Sequence, residues 1–197
     1  MKISIDGFHL MMPMTGIGYY VYYMLVELMR LAPQNKYYLC DWIGKSSLYM
    51  QIDINDHFER IDKLSSLSRI PVPFFSLARI LTLINSNLHE KKSPPLKDMD
   101  IFWGTAYRAI YKESFKTVIT IHDMAHMYYP QFVPSSSLTF LKSVLPKEAK
   151  KTQTILAISE NTKKDVIKFL KVKEEKVKVI YPGLSNHFYV EKDEKII

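Results

Sequence analysis

Four short stretches of this 197-residue chain combine residue types that can do chemistry. Thr15-Gly16-Ile17-Gly18 sets two glycines at the start of a helical pattern. Glycine lets a ligand approach the backbone closely, and the free amides of a helix N-terminus favour phosphate. A dinucleotide fingerprint would carry a third glycine where Val21 stands and would follow its strand directly, whereas residues 7–15 intervene here. His122-Asp123 follows Thr117–Ile121, a run that is β-branched throughout. A polar pair at the carboxyl end of such a strand emerges where open parallel sheets bind ligands; the plainer alternative is a histidine packed and hydrogen-bonded at a strand end. Ser159-Glu160-Asn161-Thr162 follows a further strand, and Ser159 can cap the next helix. Tyr181-Pro182-Gly183-Leu184 is a turn signal and a candidate interdomain hinge.

His122-Asp123-Met124-Ala125-His126 also nearly matches a zinc-hydrolase motif. That motif needs both histidines on one helix face, with Glu as the general base in second position. The strand before His122 argues that it is a strand terminus, and Asp123 reaches one methylene less far than Glu. No metal site is therefore expected.

The elements that must position these residues follow from periodicity. Lys2–Asp6 reads as a strand. Ile17, Tyr20, Val21, Met24, Leu25, Leu28 and Leu31 recur at helical spacing behind Thr15, and Pro33 stops them. Lys36–Trp42 reads as a strand, with a weaker one at Phe58–Ile61. Phe74–Leu88, entered through Pro71 and Pro73 and ended by Pro94-Pro95, reads as a helix apolar on more than one side and flanked by basic residues. Its main stripe suits a core. Phe75, Ile80 and Leu83 could instead meet an anionic membrane surface. Asp100–Trp103, Thr117–Ile121, Thr154–Ile158 and Lys176–Ile180 read as strands, with helices at Ser136–Lys151 and from Ser159 to about Leu170. This alternation predicts an α/β fold: a doubly wound, mainly parallel, Rossmann-like sheet.

Composition narrows the classes. Apolar residues make up 47% and charged residues 24%, which suits one globular domain. Cys40 is the only cysteine, so no disulfide within the chain can staple the fold. The start lacks a signal-peptide pattern and no apolar run reaches membrane-spanning length; a cytoplasmic location is expected, with peripheral contact at the inner face of the membrane. The net charge of +7 is uneven, with 11 basic against 9 acidic residues in 1–98 and 16 against 11 in 99–197. A basic face attracts phosphates. No nucleic-acid partner is expected, because the lysines of 142–178 lack interleaved aromatics or a recognition motif.

Taken in order, Ile5-Asp6-Gly7, Thr15-Gly16-Ile17-Gly18-Tyr19-Tyr20, Val118–Met124 with Pro130, Ile158–Asp165 and Glu175–Gly183 resemble the N-terminal domain of family-4 (group 1) retaining glycosyltransferases of the GT-B fold. The nearest likeness is to the mannosyltransferase-like subgroup that builds bacterial surface polysaccharide. The family usually has Arg where Tyr19 stands, and residues 53–95 match none of its motifs. The resemblance implies two Rossmann-like domains facing across a cleft. Residues 1–188 would be the acceptor-side domain and 189–197 the start of the interdomain linker. The C-terminal donor-binding domain would lie outside this chain, which would leave it inactive alone. It implies transfer of a hexose, such as mannose, from a nucleotide-diphosphate sugar to a glycan or lipid-linked acceptor, with no other cofactor. Carried over, Gly16 and Gly18 would meet the donor phosphates, together with Ser159 and Gly183. His122 would reach a hydroxyl of the transferred sugar, and Asp123 would support its loop. Tyr19, Tyr20, Tyr107 and Arg108 would contact acceptor. His122→Ala would abolish transfer in a two-domain enzyme while barely changing stability. A non-catalytic glycan- or partner-binding module remains the alternative.

Overall fold

The computed structural model describes residues 1–10, 15–40, 49–52, 99–111 and 113–184. The strand Phe58–Ile61, the helix Phe74–Leu88 and the linker 189–197 expected from sequence lie outside the described residues. Among the described residues, seven strands form one sheet: β1 (Lys2–Asp6), β2 (Lys36–Cys40), β3 (Tyr49–Ile52), β4 (Ile101–Gly104), β5 (Lys116–Ile121), β6 (Thr154–Ala157) and β7 (Val177–Val179). Their order is β3-β2-β1-β4-β5-β6-β7. All neighbours pair parallel except β2 and β3, which are antiparallel. The parallel, doubly wound expectation holds; the antiparallel edge strand β3 is a feature the sequence pattern did not show.

The chain winds outward from β1 to β3 and then restarts at β4 on the other side of β1. The strand order therefore reverses between β1 and β4. Such a switch point opens a crevice beyond the carboxyl ends of the strands.

Helix α1 (Gly16–Leu31) covers one face of the sheet. Its buried residues Gly18, Val21, Leu25 and Met29 step by three or four, one row down the helix. Leu31, expected on that face, is instead 70% exposed, because the row has rotated past it by the last turn. The Tyr37 hydroxyl on β2 donates to the carbonyls of Leu28 or Ala32 and closes the end of the helix. Ile5, Trp103 and partly buried Val118 meet α1 from the sheet. On the other face, Ile119, Ile121, Ile155 and Ala157 pack with Leu145, Ala149, Val166 and Leu170. The alternation along β5 thus splits its side chains between two cores.

The helix expected at Ser136–Lys151 is two: α3 (Ser135–Ser143) and α4 (Leu145–Lys151), which follow the single turn α2 (Ala125–Tyr128). Pro146 explains the break. It lacks the amide that would bond back one turn, and its ring crowds the preceding turn. It is tolerated because it stands in the first turn of α4. Helix α5 (Glu160–Leu170) ends at Lys171, which adopts a left-handed conformation (φ 51°).

Candidate functional site

The site begins where the neighbouring strands β4 and β5 end. Gly104, the last residue of β4, pairs with Ile119, and β5 runs on two residues to Ile121, so the residues that follow the two strands both emerge at this edge of the sheet. Thr105 and His122 are those residues. Both are buried. The Thr105 hydroxyl donates to the carbonyl of Asp6 at the end of β1 (3.0 Å), which ties β1 to β4 across the switch point. The Thr105 carbonyl lies 2.9 Å from Nε2 of His122. A carbonyl can only accept, so Nε2 carries the proton. Burial pushes the His122 pKa below its ordinary value, against the opposing pull of the Thr105 bond and the Asp123 charge. The ring is therefore neutral near pH 7, with a lone pair on Nδ1. Among the described residues that nitrogen takes no hydrogen bond. A neutral imidazole held in this way offers an acceptor to an incoming hydroxyl.

Two tyrosine rings hold the imidazole edge-on. Tyr20 stands 5.0 Å away and Tyr107 6.0 Å, centroid to centroid. Tyr20 lies one turn along α1 from Gly16, about 6 Å of helix rise. This stacking places the first turn of α1 beside His122. Burial raises the pKa of the Tyr20 hydroxyl, which lies near the Thr120 hydroxyl but forms no hydrogen bond among the described residues; Thr120 is instead bonded by the indole of Trp103 at 3.0 Å.

Tyr107 has a left-handed backbone (φ 58°), a conformation that disfavours a side chain as large as this. The bend is held at both ends. The Tyr107 amide bonds the Thr120 carbonyl (2.9 Å), and the Asp123 amide donates to the Tyr107 hydroxyl (3.1 Å). Burial, reinforced by Asp123, raises the Tyr107 pKa far above its ordinary value, so the hydroxyl stays protonated. Gly104 makes the bend possible, since a Cβ there would collide with the carbonyl of Arg108.

The remaining candidates divide. Gly16 is exposed, and a Cβ built on it would meet nothing within 4 Å. Neither packing nor backbone geometry requires glycine there. Thr15 caps α1 with a long bond (3.4 Å) to the amide of Gly18, which is buried against the core. Ser159 accepts from the Thr162 amide (3.1 Å), so its side chain works as a helix cap. Thr162 in turn donates to the His122 carbonyl (3.2 Å), which locks the start of α5 to the end of β5. Gly183 is exposed beyond β7, and nothing lies within 4 Å of a Cβ built on it. Tyr19 faces solvent and stacks on Tyr23, away from His122. Arg108 lies over the Phe140 ring of α3, 5.5 Å from its centroid, and near Glu148 of α4. Of the four suggested acceptor contacts, only Tyr20 and Tyr107 meet the His122 cluster.

His122 follows β5 and His126 lies within α2, so the two histidines do not share a helix. His126 is 2% exposed, its Nε2 has no partner among the described residues, and burial lowers its pKa. Among the described residues, no three His, Cys, Asp or Glu side chains are grouped to hold a metal ion. No helix among them is long and apolar enough to cross a membrane.

Thr105 and the bond of Thr162 to the His122 carbonyl are what the residue pattern did not show. Thr105 had a signal: Trp103-Gly104-Thr105 is a small polar exit from a buried strand, like Ile121-His122. Thr162 stands in the stretch after β6 singled out from sequence, but its bond had no signal, because its partner stands 40 residues away.

The model of Glycosyltransferase Family 4 matches residues 14–186. That span contains Gly16, the β4–β5 edge, His122 and the start of α5. Among curated proteins, none matches the chain.

Proposed function

Because the chain belongs to glycosyltransferase family 4, we propose that its domain forms the acceptor-side wall of a GT-B cleft. There a hexose moves from a nucleotide-diphosphate sugar to a glycan or lipid-linked acceptor, with retention at the anomeric carbon. One observation carries the reading: a neutral imidazole at the switch-point edge has Nε2 committed to Thr105 and Nδ1 left as an acceptor. In the closed cleft Nδ1 accepts from a hydroxyl of the transferred sugar. That contact fixes the anomeric carbon relative to the acceptor and favours the charge that develops as the bond to diphosphate breaks. Gly16 offers an exposed backbone amide at a helix start, one turn from the ring that touches His122, and this suits the donor diphosphate. The facing wall is a donor-binding domain, which contributes the sugar-nucleotide contacts. The domain works at the inner face of the membrane when its acceptor is lipid-linked.

Two substitutions test the working nitrogen. Gln at 122 sets an amide near the position of Nε2 and keeps a donor for Thr105. Asn sets an oxygen near the position of Nδ1 and keeps the acceptor. Release of nucleoside diphosphate from a panel of UDP- and GDP-hexoses is measured with the protein from its full reading frame. His122→Gln should lose about a hundredfold in rate, and His122→Asn distinctly less. Equal losses would overturn the assignment to Nδ1, and release unaffected by either change would remove His122 from the reaction.

A further inference from the structure

A cavity of about 350 Å³ opens beside His122, beyond the ends of β5 and β6. It is lined by Asp123, Tyr128, Tyr129, Asn161, Thr162 and Asp165, among others. Its volume is at the small end for ligand sites, which run roughly 300–1,000 Å³. Two of its walls are tied to the His122 strand end. Asp123 is the next residue, and Thr162 bonds the His122 carbonyl.

The lining has a definite chemistry. Asp123 uses Oδ1 to accept from the Ala125 amide (2.9 Å). Asp165 uses Oδ1 to accept from the Tyr128 hydroxyl (2.7 Å). Among the described residues each carboxylate keeps its other oxygen as an acceptor, and Asn161 adds an exposed side-chain amide. Tyr129, at the rim, is 59% exposed. Acceptor oxygens beside an open aromatic ring suit a molecule with several hydroxyls and an apolar C–H face. Tyr128 is already fixed. Its ring meets Phe169 edge-on at 5.1 Å, and Lys168 lies over it at 5.3 Å and reaches its hydroxyl at 3.4 Å. A wall fixed in advance loses little freedom on binding.

Charge selects among ligands. Both charged groups lining the cavity are carboxylates, and Lys168 is not among its lining residues. A phosphate or sugar acid would meet repulsion. The donor diphosphate therefore belongs on the Gly16 side of His122, and the cavity is left for the other substrate. We infer that this cavity is the acceptor subsite, and that it takes an uncharged or amino-bearing sugar ring rather than a phosphate or a uronic acid. The inference rests on the proposed transferase reading and adds a location and a substrate class to it.

The test uses the full chain labelled with ¹⁵N. The probes are the methyl glycosides of glucose, mannose and galactose, then glucosamine, glucuronate and inorganic phosphate. At least one uncharged or amino sugar should shift the amides of Ala125, Tyr129 and Asn161 saturably, while glucuronate and phosphate should not. Tyr129→Ala and Asp165→Asn should each weaken that binding fivefold or more. Tyr129 is exposed, so the first change spares the core. Three results would overturn the inference: no sugar binds, the anions bind as well as the neutral sugars, or binding survives both variants. Rates separate this from the parent reading. His122-dependent turnover without sugar binding in the cavity sinks the subsite alone. Sugar binding in the cavity with turnover indifferent to residue 122 supports the subsite and sinks the role of His122.

Discussion

At the level of single residues, His122 and Gly16 behave as opposites. His122 is 8% exposed, bonded through Nε2 and packed against two tyrosines. Ala in its place would leave the Thr105 carbonyl without that bond and a gap beside the rings. The expectation that His122→Ala barely changes stability therefore gives way to a loss of about 1–3 kcal/mol, measurable by urea unfolding. A burial this deep does not argue against function; it fixes the tautomer that leaves Nδ1 free to accept. Gly16 carries no such structural duty, since its Cβ position is open. Gly16→Ala should leave stability unchanged or raise it by up to about 1 kcal/mol, while turnover by the full protein falls. Thermal unfolding and nucleoside-diphosphate release, run on the same samples, would show the two moving apart. A variant with full turnover would mean that no ligand comes close to that backbone.

At the level of elements, the site is a junction between β5 and α5. Ser159 caps the helix, and Thr162 passes the helix start on to the His122 carbonyl. Ser159→Ala should cost about 1 kcal/mol, the ordinary worth of such a cap. Because Thr162 is anchored by the same turn, the effect should extend to the amide of Asp123, visible as a shift in ¹H–¹⁵N spectra. An unmoved Asp123 amide would mean that α5 and the strand end are not coupled. The Tyr107 bend is the second junction. It carries backbone strain at the site, which neighbouring bonds to Thr120 and Asp123 hold in place.

At the level of the whole molecule, pH should act through buried histidines. Burial lowers the pKa of both His122 and His126. Their folded values lie below the unfolded value of about 6.5, so below that pH the unfolded chain binds more protons than the native one. Stability is then complete above about pH 6.5 and falls as pH drops through the window beneath it. Glu148 works in the other direction, because burial raises its pKa and its protonation favours the native state. Substitution separates the two effects. The stability of wild type relative to His126→Leu should fall between pH 7 and pH 5 in urea unfolding. A difference that does not change with pH would mean that His126 takes a proton as easily folded as unfolded.

The sequence by itself determined the parallel α/β class, most strands to within a residue or two, the caps at Thr15 and Ser159, and the placing of His122 at a strand end. These are local matters: period two, period 3.6, β-branching and cap chemistry are all read within a few residues. The ordered motifs carried the family as well, because they span most of the chain. Only the tertiary structure decided which nitrogen of His122 is occupied. It also parted Tyr20 and Tyr107, which meet that ring, from Tyr19 and Arg108, which turn elsewhere, and it brought Asp123 and Asp165 to the lining of one open cavity. Each of these depends on residues brought together by strand order and register, such as Thr105 with His122 or Thr162 with the end of β5. Contacts over such separations leave no trace in local periodicity, so the sequence could mark the edge where the site stands but not the atoms that face one another across it.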